Sequence, residues 1–180
     1  MDESFIAKPL GQRQIDQAYP LVRAIFPDLP VEQWRAFAAA LIGPVDTPAT
    51  PSGMPSGIMT VQNARGYLHG LFSYAIAEHL RHGRILAVEN FVVLDLFDMT
   101  GPAETLLRSM DRLARGHGCT AIHTALPELL AGAAGSRGSL LTCFHQDGHR
   151  TETLRLCKAM DGANDNRAHR SQAESPLGIP

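Results

Sequence analysis

A carboxylate interrupts an apolar run at Val88-Glu89-Asn90-Phe91-Val92-Val93, and further along a glycine and a proline open an amphipathic stretch at Gly101-Pro102-Ala103. An acid set among apolar strand neighbours is held from water, which penalises its charged form and raises its pKa toward the range useful to a general base. Glu89 is therefore the leading catalytic candidate; its bland alternative is a strand carboxylate paired with Arg84 or a neighbouring histidine. A strand that delivers backbone groups to a helix N-terminus is a common way to hold phosphate, because the first N–H groups lack intrahelical partners and the helix dipole favours negative charge. The stretch from Arg84 to Gly118 thus reads as a strand, a short acidic loop and a helix suited to a phosphate-bearing cofactor.

Other chemistry-bearing residues stand in weaker patterns. His79 and His82, and His145 and His149, have spacings that a helix could bring together, but neither pair is accompanied by a carboxylate-rich ligand motif, so no metal is expected. His123, in a short strand beyond the helix, stands where a histidine could line a cleft. No G-x-S-x-G elbow supports a serine nucleophile. Cys119, Cys143 and Cys157 show no C-x-x-C spacing, which argues against a disulfide framework and a structural zinc and fits a reducing compartment.

The elements that must position these residues share one chain of 180 residues, 44% hydrophobic and 19% charged, long enough for one buried core and short for two. A formal net charge of -2 supplies no basic field for nucleic acid. Met1-Asp2-Glu3 begins no basic, apolar leader, and no segment has the apolar length to span a bilayer. The expectation is a cytoplasmic protein with neither a nucleic-acid nor a membrane partner.

Periodicity places a short strand at Ser4–Leu10, a helix from Gln12 that Pro20 kinks or divides, and a second helix from Val31 to Ile42, with Trp34 on its core face and Pro30 in its first turn. Residues 43–57 hold prolines at 44, 48, 51 and 55 and read as a loop, either a solvated connector or a flap over an acceptor pocket. Ile58–Gln62 and Tyr67–Ala77 form a hairpin around Asn63-Ala64-Arg65-Gly66, with Leu68, Gly70, Phe72, Tyr74 and Ile76 on one face. The central strand follows at Ile85–Leu94. From Pro102 to about Arg115 a helix presents Ala103, Leu106, Leu107, Met110, Leu113 and Ala114 as one stripe; with Gly101 as N-cap, Glu104 can bond back to the cap. A short strand at Thr120–Leu126, a short helix at Ser139–His145, a last strand at Arg150–Met160 and a flexible tail over 161–180 complete the chain.

This order resembles the GNAT superfamily of N-acetyltransferases across residues 4 to 160. The resemblance implies an α/β (α+β) fold, a mixed and mostly antiparallel central sheet splayed at its middle strands and flanked by helices, with 1–160 as a single domain and 161–180 as the tail. Glu89-Asn90-Phe91-Val92-Val93 is similar to the family's fourth-strand segment, in which a carboxylate faces the acceptor and the following backbone pairs with pantetheine. Asp98-Met99-Thr100-Gly101-Pro102-Ala103 resembles its pyrophosphate loop. Gly101 and Ala103 keep the small residues of that loop. Asp98 departs from it, because a carboxylate standing where the family has Arg or Gln repels pyrophosphate unless its side chain turns away. Pro102 removes one backbone donor.

Cys143-Phe144-His145-Gln146-Asp147-Gly148-His149 resembles the family's closing segment. Phe144 falls where a Tyr commonly protonates the leaving thiolate, and phenylalanine has no proton to give. His145 is the nearest titratable replacement, with solvent or a loss of catalysis as the alternatives. His149 stands at the family's Phe position, and Arg137 where the preceding turn has an Asn.

What the resemblance implies is transfer of acetyl from acetyl-CoA to a primary amine of a small molecule or peptide. Glu89 and His145 would be catalytic. Phe91, Val92, Val93, Asp98, Met99, Thr100, Gly101, Pro102, Ala103 and Phe144 would hold acetyl-CoA, with no metal; a homodimer is compatible with this. Asp98 and Phe144 also motivate a second reading, a non-catalytic module of the same fold that binds a small ligand or a protein partner.

Overall fold

The structure is a computed structural model in which residues 4–43, 54–94, 100–126, 140–153 and 155–157 are described. Strand β1 (Phe5–Pro9) leads through a 3-10 turn (Gln12–Gln14) into α1 (Ile15–Ile25). Then follow α2 (Val31–Leu41), β2 (Ser56–Asn63), β3 (Leu68–His79), β4 (Gly83–Val93), α3 (Thr100–Gly116), β5 (Ala121–Thr124) and α4 (Leu140–Gln146). The described strands form one sheet in the order β1-β2-β3-β4-β5. Neighbours are antiparallel except β4 and β5, which run parallel because the chain crosses over through α3 between them. These elements belong to one compact unit that ends at Arg150; residues from Thr151 belong to a second. Among the described residues no helix is long and apolar enough to cross a membrane.

Each face of the sheet has its own core. The stripe of α3, with Ala103, Leu106, Leu107 and Met110, packs with Cys143 and Phe144 of α4 against Phe72, Leu86, Val88, Phe91 and Val93. On the other face Ala18, Leu21 and Val22 of α1 and Trp34 and Ala38 of α2 cover Ile58, Leu71 and Val92. Trp34 is core, as its place on the helix predicts, and its indole N–H donates to the Ile15 carbonyl at 2.7 Å, fastening α2 to the first turn of α1.

Several boundaries differ from the sequence reading. Helix α1 runs through Pro20 undivided. The proline removes one hydrogen bond at the middle of the helix, and burial of Leu21 and Val22 beside it offsets that loss. Pro30 is the N-cap of α2 and lies just outside the helix. Helix α3 starts at Thr100, so Gly101 and Pro102 lie in its first turn and Gly101 is no cap. Thr105 Oγ1 donates to the Gly101 carbonyl at 2.9 Å, and Glu104 pairs forward with Arg108 at 3.5 Å.

Strand β2 takes in Ser56 and Gly57 from the expected loop, whose residues 44–53 lie outside the described ones. A register shift where β2 passes β3 turns Leu68 to the α1–α2 side, away from Phe72 and Ile76. The expected last strand is not formed at Thr151–Thr153 or Arg155–Cys157, and Leu156 is 85% exposed. Residues 161–180 lie outside the description.

Candidate active site

Strand β4 changes register against β3. Ser73 lies opposite Glu89 and Leu71 opposite Val92, so two steps on β3 match three on β4. The extra residue is absorbed at Asn90, whose φ of 54° lies in the left-handed region that asparagine tolerates better than most side chains. Its side-chain amide donates to Ser73 Oγ at 2.8 Å, and Ser73 Oγ donates to the Glu89 carbonyl at 3.1 Å, tying the bulge to β3. Val88 and Phe91 both face the α3 core, so the two residues between them are turned out of it.

Beyond the bulge, the Leu94 amide donates to the His69 carbonyl at 2.8 Å. Alternation along the strand then turns the N–H and C=O of Val93 away from β3, toward the β5 side. On that side the ladder ends with Val88 opposite Thr124, where the Ala125 amide donates to the Val88 carbonyl at 2.9 Å. Among the described residues the pairing of β4 with β5 goes no further. Among the described residues, Phe91, Val92 and Val93 therefore continue the strand without a neighbour on that edge, as expected of splayed middle strands.

The side chain of Glu89 is exposed, against the expectation that its strand would desolvate it. Apolar neighbours in sequence do not enclose it, because the bulge beside it turns Glu89 and Asn90 out of the core that Val88 and Phe91 enter. At the start of α3, Asp98 and Met99 lie outside the described residues. In the first turn Gly101 carries a backbone N–H and Pro102 has none. Its small residues also serve packing: Pro102 and Ala103 are buried, and a Cβ at Gly101 would stand 3.1 Å from the Phe5 ring, so glycine lets α3 settle on β1.

Phe144 is 2% exposed and meets Phe91 and His149 edge-on, with ring centroids 4.9 Å away in each case. His145, the expected proton source, is exposed on α4. His149 is enclosed more closely. Its Nδ1 lies 3.3 Å from Asp147 Oδ2, and its Nε2 is buried with no hydrogen-bond partner among the described residues. Partial burial pushes the Asp147 carboxyl above its ordinary range, the Asp111 carboxylate adds to this, and His149 pulls it back. Sequence reasoning weighed His149 only as a metal-ligand partner of His145 and gave it no part in acyl transfer; in the structure it follows Gly148, at φ 96°, in an Asp-Gly-His turn.

A cavity of about 210 Å³ opens between α1–α2 and the sheet. Val22, Ile25, Phe26, Leu29, Trp34, Phe37, Ile58 and Leu71 give it apolar walls, and Gln33, Ser73 and Asn90 supply its polar groups. No ionisable side chain is among them. The bulge thus joins three features: an exposed carboxylate, an open strand edge, and the polar floor of an apolar pocket. The remaining histidines named from sequence, His79, His82 and His123, gather at the β3–β4 turn.

No family model matches the sequence, and no curated protein matches it. Solved structures do match. The aminoglycoside N-acetyltransferase AAC(6')-Iy, in complex with CoA, superposes with a TM-score of 0.66 at 13% identity over 88% of this chain and 97% of its own. A ribosomal-protein-alanine N-acetyltransferase from Brucella melitensis biovar Abortus gives 0.63 at 11% identity over 87% and 100%. Glucosamine-6-phosphate N-acetyltransferase from Arabidopsis thaliana gives 0.59 at 13% identity over 88% and 100%. At such identities the likeness is one of fold, and the fold is that of the GNAT N-acetyltransferases.

Proposed function

We propose that the chain transfers acetyl from acetyl-CoA to the primary amine of a small acceptor. The observation that carries this reading is the β4 bulge, which ends in an open strand edge leading to a helix N-terminus and borders the pocket through Asn90. A fold neighbour solved with CoA supports the choice of acyl donor. Pantetheine, an extended chain of amides, suits the open edge at Phe91–Val93, and the first-turn N–H groups of α3 suit the pyrophosphate.

The amine nitrogen attacks the thioester carbonyl, the C–N bond forms, the C–S bond breaks, and the thiolate leaves. Backbone N–H groups of the Phe91–Val93 segment are the candidates to polarise the carbonyl. Glu89 takes the proton shed by the ammonium through solvent, since its carboxylate is exposed. His149 is the better-placed proton donor to the thiolate, because its ring packs on Phe144, which occupies the expected tyrosine position, and its Nε2 is held inside the protein. His145 is exposed and would act only through water.

The pocket narrows the acceptor. An uncompensated buried charge costs several kcal/mol, and the described lining holds no carboxylate to receive one. A monoamine on an apolar or aromatic body fits it better than a polycation. The test is thiol release from acetyl-CoA across arylalkylamines, amino acids, peptide amines, polyamines and aminoglycosides. The highest kcat/KM should fall to apolar monoamines; no cofactor binding by calorimetry at millimolar acetyl-CoA would reject the whole reading.

A second reading, a non-catalytic module of this fold, is favoured by Phe144, which sits buried where a proton donor is expected. Thiol release with any amine in the same panel would reject it.

A further inference from the structure

At the tip of the β3–β4 hairpin two histidines meet a third from β5, and the proposed acetyl transfer uses none of them. His79 ends β3 opposite Gly83, His82 is the last residue of the turn, and His123 lies on β5 opposite Ala87. Their ring centroids are 4.4 Å apart for His79 and His123, 5.1 Å for His82 and His123, and 5.3 Å for His79 and His82. All three are half-buried, and one nitrogen from each lies within 4.8 Å of the other two.

We propose that His79, His82 and His123 form a binding site for one divalent transition-metal ion of the zinc class. Zinc–imidazole bonds of about 2.0–2.1 Å in tetrahedral geometry set the nitrogens roughly 3.4 Å apart, so the cluster must tighten by little more than 1 Å, within reach of side-chain rotation. Imidazole nitrogens select zinc, nickel, cobalt or copper over magnesium or calcium, and the cluster holds no carboxylate to attract the harder ions. Three protein ligands leave the fourth position to water.

The frame around the cluster is anchored. Thr120 Oγ1 donates to the carbonyls of His82 and Arg84, and the Thr120 amide donates to the Arg84 carbonyl at 2.8 Å, so the hairpin turn is stitched to the start of β5. Gly83, at φ 65°, closes the turn in a conformation that other side chains resist. His123, Ala87 and Ala75 share one row across three strands, and the two methyl groups leave room for imidazoles.

One feature opposes binding. His79 Nδ1 accepts from the amides of Arg81 and His82, each at 3.3 Å. A metal must either displace these contacts at Nδ1 or bind Nε2 after the ring changes tautomer. Both contacts are long, hence weak, and one metal–nitrogen bond outweighs them.

The experiment uses the full chain without a histidine tag, stripped of metal, and titrates Zn(II) against a chromophoric chelator. Co(II) absorption reports the ligand type. One equivalent should bind, with a tetrahedral Co(II) spectrum lacking sulfur charge transfer, and Zn(II) should raise the Tm. His82→Ala and His123→Gln should each weaken binding on the order of 100-fold, at least the loss usual for a residue that merely supports a ligand. His82 lies in a turn, so its variant keeps the test open should His123→Gln fold poorly. No stoichiometric binding to the wild type would overturn the proposal, as would binding that survives in His82→Ala.

Discussion

The two faces of the sheet are covered by helices from the same small set of apolar residues, yet a cavity reaches the strands on the α1–α2 side, whereas on the other side the described cavity lies between α3 and α4, away from the sheet. On the α3 side Phe72, Phe91, Leu106 and Met110 are each 0% exposed. On the α1–α2 side Phe26 and Phe37 stay 40% and 41% exposed beside a cavity of about 210 Å³. The difference traces to one strand. After the bulge at Asn90, β4 sends Phe91 and Val93 to the α3 side and leaves Asn90, beside the small Ser73, to the other. A single extra residue moves bulk from one face to the other, and the space it vacates is the candidate acceptor pocket.

If that contrast is right, truncating the filled face should cost most. Phe91→Ala removes a ring stacked on Phe72 and should lower unfolding free energy by about 3–5 kcal/mol in urea denaturation. Adding bulk to that face should also hurt. A Cβ at Gly70 would stand 2.6 Å from the Val92 carbonyl oxygen and 3.2 Å from Leu106 Cδ1, so Gly70→Ala should cost about 1–3 kcal/mol and loosen the register past the bulge. A neutral Gly70→Ala would mean that β3 and β4 are not held as closely there as the contrast requires.

How far the sequence discloses this contrast depends on whether a signal is local. The α3 stripe, the core place of Trp34 and the Asn63–Gly66 turn are legible because helix period and turn chemistry are set within a few residues. Asn63 Oδ1 accepts from the amides of both Arg65 and Tyr67 at 3.0 Å, with Gly66 at φ 82°. The bulge is not legible, since Asn90 is fixed by Ser73 on another strand, and the apolar neighbours of Glu89 in sequence suggest a desolvation that the bulge prevents. The same holds for the histidine cluster: His79 and His82 are visible as a spacing, but His123 joins them only through the β4–β5 pairing. Phe144 is legible as a departure, whereas the enclosure of His149 is not.

The bulge itself is the next place to press. Asn90→Val puts a β-branched side chain at a left-handed φ and should cost about 1–2 kcal/mol, while Asn90→Gly relieves the backbone and loses only the bond to Ser73. Glycine should therefore be the milder change in stability and should keep acetyl-CoA affinity by calorimetry. Equal effects of the two would say that the side-chain bond, not the backbone conformation, holds the bulge. On the open face Phe37→Ala should change stability by about 0.5 kcal/mol or less, as expected at an exposed site, yet raise KM for an apolar amine. A loss as large as that of Phe91→Ala would show the two faces to be equally packed.

The smallest effect belongs to the pairing of the two helices that border the pocket, where Arg35 of α2 donates to both carboxylate oxygens of Asp16 on α1, at 2.7 and 3.0 Å. The hydrogen bond from Arg35 holds the Asp16 carboxyl below its usual range, and the charge of Arg35 adds to this. A folded-state pKa below the unfolded value of about 3.9 means that the pair contributes fully above that value and is lost as pH falls through the folded pKa. Both side chains are more than half exposed, so solvent screens the pair and its contribution is small. Asp16→Asn should thus lie slightly below wild type in urea denaturation at neutral pH, with the gap closing in acid and narrowing with added salt. A gap that stays constant from neutral pH into acid would show that Asp16 matters through packing of α1 on α2, and would place the contact of these two helices, like the α3 face, among the parts of the fold held by shape alone.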